Sequence, residues 1–162
     1  MDLGLNGKNA IITGGSDGIG LAAAISLSKE GANVAILART QDKLDSAVKE
    51  IRKESKGKVI AISTDVRDES SVVTSIKKVR EELGKINILV NNAGTSSASP
   101  LEEMTNEQLT EDLNLKVYGA IYCARAVIKD MKENGSGSIV NITTPGGKAT
   151  AGGSQPTSLS RA

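Results

Sequence analysis

Histidine, phenylalanine and tryptophan are absent from this 162-residue chain, and its only aromatic side chains are Tyr118 and Tyr122. Without histidine, the commonest general base and the commonest neutral metal ligand are missing. With so few rings there are no stacked aromatic faces to hold single-stranded nucleic acid, and the core has to be built from Ile, Leu, Val and Ala. Cysteine appears once, as Cys123. That excludes an internal disulfide and a cysteine cluster for zinc, and no metal site is expected. A single Cys in an apolar helical stretch reads as packing. The formal net charge is +1, so no field of one sign draws in nucleic acid or an anionic membrane. No apolar run approaches a membrane span. The first residues lack a basic start followed by a long apolar run, so no secretory signal is expected. The triplets starting at Asn134 and Asn141 match the glycosylation pattern but carry no weight in such a chain. The expected location is the cytoplasm.

What is present is a chain 38% hydrophobic and 24% charged, long enough for one domain with a real core. Apolar strand-like runs span Asn9 to Thr13, Asn33 to Ala38, Lys58 to Ser63, Ile86 to Val90 and Ser138 to Ile142. Helical patterns lie between them. Gly18 to Glu30 carries Ile19, Ala22, Ala23 and Leu27, with Gly31 as a stop. A second helix opens at Thr40. Asp68 caps a third, which carries Val72, Ile76, Val79 and Leu83. Thr105 and Gln108 form a capping box for a long helix to Met131, whose apolar positions are Leu109, Leu113, Val117, Ile121 and Ile128. Alternating strands and helices predict an α/β fold, a doubly wound parallel sheet with helices on both faces. Pro145 to Ser158, rich in Gly, Ser and Thr, reads as a loop before a further helix.

Between the first strand and first helix stands Thr13-Gly-Gly-Ser-Asp-Gly-Ile-Gly20. Glycines there let backbone N–H groups approach a pyrophosphate at a helix N-terminus. With Asn91-Asn92-Ala93-Gly94 after the fourth strand and Asn114 in the long helix, this loop resembles the short-chain dehydrogenase/reductase family. From Lys8 to Thr144 the likeness is greatest to bacterial and archaeal 3-oxoacyl-carrier-protein reductases. The resemblance implies a Rossmann-type sheet and a nicotinamide dinucleotide cofactor. Gly14, Ser16, Asp17, Gly18, Ile19 and Gly20 would line its phosphates and ribose. Asp65 and Val66 would bracket the adenine, and Asn91, Ala93 and Gly94 the second ribose.

The second strand ends Leu37-Ala38-Arg39-Thr40, with no acid to accept bonds from the ribose of NAD. Arg39 can pair a 2′-phosphate through its planar fork, so NADP(H) is the expected cofactor. Asp17 argues mildly the other way.

The family's chemistry uses Asn, Ser, Tyr and Lys. The resemblance sets Asn114 at the first position and Thr144 at the second, and at the family's usual spacing Thr157 and Arg161 stand for Tyr and Lys. An aliphatic hydroxyl ionises far less readily than a phenol, whose pKa is about 10. Thr157 therefore does not replace the phenol as an acid. Tyr118, one turn after Asn114, is a conceivable substitute, but packing against a neighbouring helix or subunit is the expected role of both tyrosines. The residues leave two functions open. One is NADP-dependent carbonyl/alcohol interconversion, on a 3-oxoacyl thioester if the closer likeness holds. The other is a dinucleotide-binding protein without turnover, a sensor or assembly partner.

Family members continue past the equivalent of Ala162, so residues 1–162 read as a single dinucleotide-binding domain lacking its C-terminal strands. The fifth strand would then be an exposed edge. The expected partners are a small carbonyl or alcohol substrate and a second copy of the chain. The family's long helix commonly pairs subunits, which implies a homodimer or homotetramer.

Overall fold

In the computed structural model the protein is described over residues 2–148, 153 and 155–161. Its five strands are β1 (Asn9–Thr13), β2 (Asn33–Ala38), β3 (Val59–Ser63), β4 (Ile88–Asn91) and β5 (Ser138–Asn141). All pair in parallel, in the order β3-β2-β1-β4-β5. The helices are α1 (Gly18–Lys29), α2 (Gln41–Arg52), α3 (Glu69–Leu83), α4 (Asn106–Leu113), α5 (Gly119–Glu133) and α6 (Gln155–Ser160). The strand order reverses between β1 and β4, which opens a crevice at the carboxyl ends of these strands.

Successive residues of a strand face opposite sides, and β1 shows the result. Ile11 joins a core formed with Val72, Ile76, Cys123 and Val127 from α3 and α5. Ala10 and Ile12 join another with Ala24, Leu44 and Ile51 from α1 and α2. Both faces of the central strands are covered, so they read as continuous apolar runs. All β5 residues are exposed, and β5 pairs with β4 alone among the described residues, which is the open edge expected. The caps also stand as read. Asp68 accepts from the Ser70 N–H at 2.9 Å, and Thr105 and Gln108 close their box at 2.9 and 3.2 Å.

Three expectations are corrected. The buried residues of α1 are Gly20, Ala24 and Ser28, whereas Ile19 is 65% exposed and Ala22 is exposed. The helix turns its smallest residues inward because it starts against β1, where a Cβ at Gly20 would run into the Gly14 carbonyl.

The long helix is not uniform: Asn114–Tyr118 form a π-turn between α4 and α5. A π-turn adds a residue and rotates the helix beyond it. Ile121 and Ile128 accordingly face outward, and the buried stripe runs through Asp112, Gly119, Cys123, Val127 and Met131.

The Pro145 to Ser158 stretch is not all loop. Pro145–Gly147 form a short 3-10 turn, and α6 begins at Gln155 with Pro156 in its first turn, where proline is tolerated. Thr157 and Ser158 are thus helical; residues 149–152 and 154 lie outside the described residues.

Candidate cofactor and active site

The glycine loop is shaped by close approaches that the sequence spacing only hinted at. Gly14 and Gly18 have φ of +63° and +52°, the left-handed region that favours glycine. A Cβ at Gly14 would meet Asn92 Nδ2 at 2.9 Å and Ala93 Cα at 3.0 Å. The Asn92 side chain holds the loop down, its Nδ2 donating to the carbonyls of Thr13 and Gly14 at 3.0 and 3.1 Å. The Thr13 hydroxyl accepts from the N–H groups of Asn92 and Ala93, both at 3.0 Å. Loop and switch point therefore form one unit. Asn92, quoted within the Asn91-Asn92-Ala93-Gly94 run, was given no role from the sequence, because nothing local marks it as the loop's anchor.

Asp17 sits in the loop as a cap: its Oδ1 accepts from the Gly18 N–H at 2.8 Å. Its Oδ2 lies 3.4 Å from Lys43 Nζ on α2.

Beside it, a cleft of about 260 Å³ brings together Gly14, Ser16, Arg39, Asp65, Val66 and Gly94. It adds Lys43, Thr95 and Leu115, which were not anticipated. Lys43 escaped notice because it lies one turn into an ordinary amphipathic helix. Asp65 is not a free acid at this cleft. Arg67 binds it through Nη2 at 2.6 Å and Nε at 3.0 and 3.1 Å. The Arg67 hydrogen bonds hold its carboxyl below the usual carboxylate range, with Arg39 adding attraction.

Across the switch point a second cleft, about 650 Å³, is lined by Gly18, Ile19, Gly94, Thr144, Thr157 and Arg161 among others. Three of the four residues expected to carry chemistry meet here. The Thr144 hydroxyl caps the 3-10 turn, accepting from the Gly146 N–H at 3.4 Å. The Arg161 guanidinium donates to the Ile142 carbonyl and packs so closely on Gly94 that any Cβ there would strike it. Thr157 Oγ1 accepts from the Ser97 N–H at 2.9 Å and donates to the Ser97 carbonyl at 3.1 Å.

The fourth, Asn114, is not among them. It lines none of these clefts, and its carbonyl accepts from Gly119 N–H to close the π-turn. Residues two apart on a helix do not share a face, and here Lys116 takes the inward one. Lys116 Nζ lies 2.5 Å from Asp112 Oδ2 and 3.1 Å from Thr157 Oγ1, and the Lys116 and Asp112 side chains are only 3% and 4% exposed. Ser160 Oγ donates to the same Asp112 oxygen at 2.6 Å. Burial pushes the Lys116 ammonium below its ordinary value; Asp112 opposes that shift and the charge of Arg161 adds to it. The Asp112/Lys116 spacing was visible as a helical ion pair, but its burial was not. A third cavity, about 280 Å³, is lined by Thr13, Asn91, Asn141, Lys116 and Arg161. Among the described residues, Asn91 Oδ1 is the buried side-chain atom left without a partner, although its Nδ2 donates to Asn141 at 2.9 Å.

The tyrosines stay outside this constellation. Tyr118 is 48% exposed, its ring 6.2 Å from that of Tyr122, and neither lines the clefts.

A parallel sheet with a glycine loop at its switch point and charged side chains across the crevice defines a dinucleotide-binding domain of the dehydrogenase type. Comparison with known proteins makes this specific. The family model described as short chain dehydrogenase matches residues 8–156, and the chain belongs to that family. It is 40% identical over 150 residues to 3-ketodihydrosphingosine reductase of Mus musculus, which covers 90% of this chain and 45% of the relative. The structure of L-sorbose reductase from Gluconobacter frateurii, complexed with NADPH and L-sorbose, superposes with a TM-score of 0.95 at 32% identity, over 99% of this chain and 61% of that one. An NADPH-bound short chain oxidoreductase from Pseudomonas aeruginosa PAO1, described as containing an atypical catalytic center, gives 0.91 at 32%, over 95% and 60%. The chain spans about half the length of the curated relatives it matches.

Proposed function

We propose that the chain is the cofactor-binding part of an NADP(H)-dependent reductase that interconverts a carbonyl and an alcohol. The observation that carries the cofactor is the end of β2: Arg39 and Lys43 face one cleft, and Asp65, the carboxylate lining it, is held by Arg67. A 2′-phosphate meets Arg39 and Lys43 there, and Lys43 also lies 3.4 Å from the exposed Asp17. The glycine cradle at Gly14 and Gly20, which a Cβ would fill, fits the pyrophosphate. Bound in this way, a nicotinamide would lie toward Thr144, Thr157 and Arg161. The substrate class is a ketone, in line with relatives named for reducing ketodihydrosphingosine and sorbose; a 3-oxoacyl thioester is the first member to test. Subunit pairing through the outward face of the long helix is supported by exposed Tyr118, Ile121 and Ile128.

The test is a thermal melt of the chain with NADPH, with NADH and with neither, followed by NADPH oxidation against a panel of ketones. A ligand at ~100 times its Kd adds roughly 2.7 kcal/mol to the folded state. A larger shift with NADPH and oxidation above background support the reading. Equal or tighter binding of NADH overturns the cofactor assignment.

A second reading, dinucleotide binding without turnover, is favoured by one observation: the Thr157 hydroxyl is already bonded to Ser97 and Lys116. It predicts NADPH binding without hydride transfer, and a large gain from Thr157→Tyr combined with Arg161→Lys.

A further inference from the structure

We propose that Lys116 is the source of the proton for the substrate oxygen, passed through the hydroxyl of Thr157, so that a buried ammonium and a hydroxyl together do what a single phenol would do. The proposal rests on the reductase reading above.

Two placements motivate it. Thr157 is one of the residues that line the large cleft, with Thr144 and Arg161. Behind it, Lys116 Nζ is 3.1 Å from Thr157 Oγ1. Lys116 does not itself line the large cleft; it lines the smaller cavity of about 280 Å³ beneath. Thr157 thus stands between an acid and a reaction site. As a lone acid it fails, because ionising an aliphatic hydroxyl leaves an alkoxide. As a relay it never becomes one: it gives up its hydrogen toward the substrate while taking another from the ammonium.

A dihydronicotinamide, when bound, supplies the hydride. As the new C–H bond forms at the carbonyl carbon, the C=O π pair moves to oxygen and takes the Thr157 hydrogen. Thr157 Oγ1 takes a proton from Lys116, leaving a neutral amine, and solvent recharges that amine through the smaller cavity. The charged groups facing Lys116 are Asp112, one turn earlier in the same helix, and Arg161 from the end of α6. Asp112 fixes the Lys116 head with help from Ser160. Arg161 cannot serve in its place, since a guanidinium does not give up its proton. In the resting arrangement the Thr157 hydrogen goes to the Ser97 carbonyl. With Lys116 and the Ser97 N–H already donating to Oγ1, the hydrogen passes to a substrate oxygen that displaces the Ser97 carbonyl as its acceptor.

The test has two parts, the first on the 162-residue chain and the second on the complete protein. In the first, NMR of lysine labelled at Cε follows the Lys116 titration, assigned with Lys116→Arg. A midpoint below that of the exposed lysines is expected; one at or above theirs overturns the proposal without any turnover being measured. In the second, NADPH oxidation is followed with ethyl acetoacetate, acetoacetyl-CoA and L-sorbose, with NADPH-induced melting shifts as the control for folding and binding. Lys116→Arg keeps the charge beside Asp112 but has no proton to give. It and Thr157→Val are expected to lose roughly 10²–10⁴ in rate, the usual worth of general acid help. The unaltered complete protein should lose rate as pH rises through the Lys116 midpoint, and Lys116→Arg should lack that limb. Full rate in Lys116→Arg or Thr157→Val overturns the relay alone. No oxidation of any probe by the unaltered complete protein overturns the reductase reading, and the relay with it.

Discussion

Lys116 Nζ and Asp112 Oδ2 lie 2.5 Å apart, one helical turn from each other, with both side chains almost fully withdrawn from solvent. A buried pair of this kind is costly to halve, because removing one partner strands the other charge, typically at ~3–5 kcal/mol. Asp112→Asn is therefore expected to destabilise the chain by about that amount in urea unfolding. Replacing both, as Asp112→Asn with Lys116→Gln, should recover most of the loss. If the single and double variants unfold alike, the pair is not coupled.

The pH dependence comes from the direction of the Lys116 shift. Burial lowers its folded value below that of an ordinary lysine, so between the two values the unfolded chain binds more protons. Stability from this group therefore rises with pH across that window. Urea midpoints of the unaltered chain should rise, relative to Lys116→Gln paired with Asp112→Asn, as pH climbs toward the ordinary lysine value.

Asp65 behaves in the opposite sense. The Arg67 hydrogen bonds lower its carboxyl, so its contribution is present above the ordinary carboxylate value and lost as pH falls through the lowered one. Arg67→Gln should return the Asp65 midpoint, read by carboxyl carbon NMR, toward the ordinary range. It should also weaken NADPH binding, by freeing a carboxylate at the adenosine end.

At that end, Arg39→Ala and Lys43→Ala should each weaken NADPH binding by about 1.5–3 kcal/mol, the worth of a hydrogen bond to a charged group, and leave NADH binding nearly unchanged. Fluorescence titration with both nucleotides checks this. Equal losses for both nucleotides would place these side chains elsewhere than on the 2′-phosphate.

Gly20→Ala puts a methyl group against the Gly14 carbonyl. Overpacking of this kind costs typically ~1–3 kcal/mol, and the displaced loop should abolish the NADPH-induced melting shift. Cys123, fully buried between sheet and helix, has its thiol pushed up to about 12 by burial. It should react with a disulfide reagent only once the chain is unfolded.

Most of the architecture is legible along the chain because it is repetitive. Every strand falls within a residue or two of its apolar run, since runs bounded by Gly, Asp and Asn leave little choice, and right-handed crossovers restrict the order. The glycine loop is legible too, because close backbone approach tolerates only one residue type. The helix faces are less so. Ile121 and Ile128 have the right spacing for a core, but the stripe that is buried contains Asp112, Lys116 and Gly119, and apolar periodicity cannot find a face made of charges and a glycine.

What the sequence determined alone is the doubly wound sheet, the glycine loop, the absence of an acid at the end of β2, and a threonine at position 157, where the family resemblance implies a phenol. Tertiary structure decided which carboxylates remain free, that Lys43 joins Arg39, and that Lys116 rather than Asn114 turns toward Thr157. The reason is physical. Strands, turns and glycines answer to neighbours a few residues away. The charge state and reach of a side chain answer to groups distant in the chain: Lys116 and Thr157 meet across 41 positions, and only the packing of α6 on the long helix brings them together.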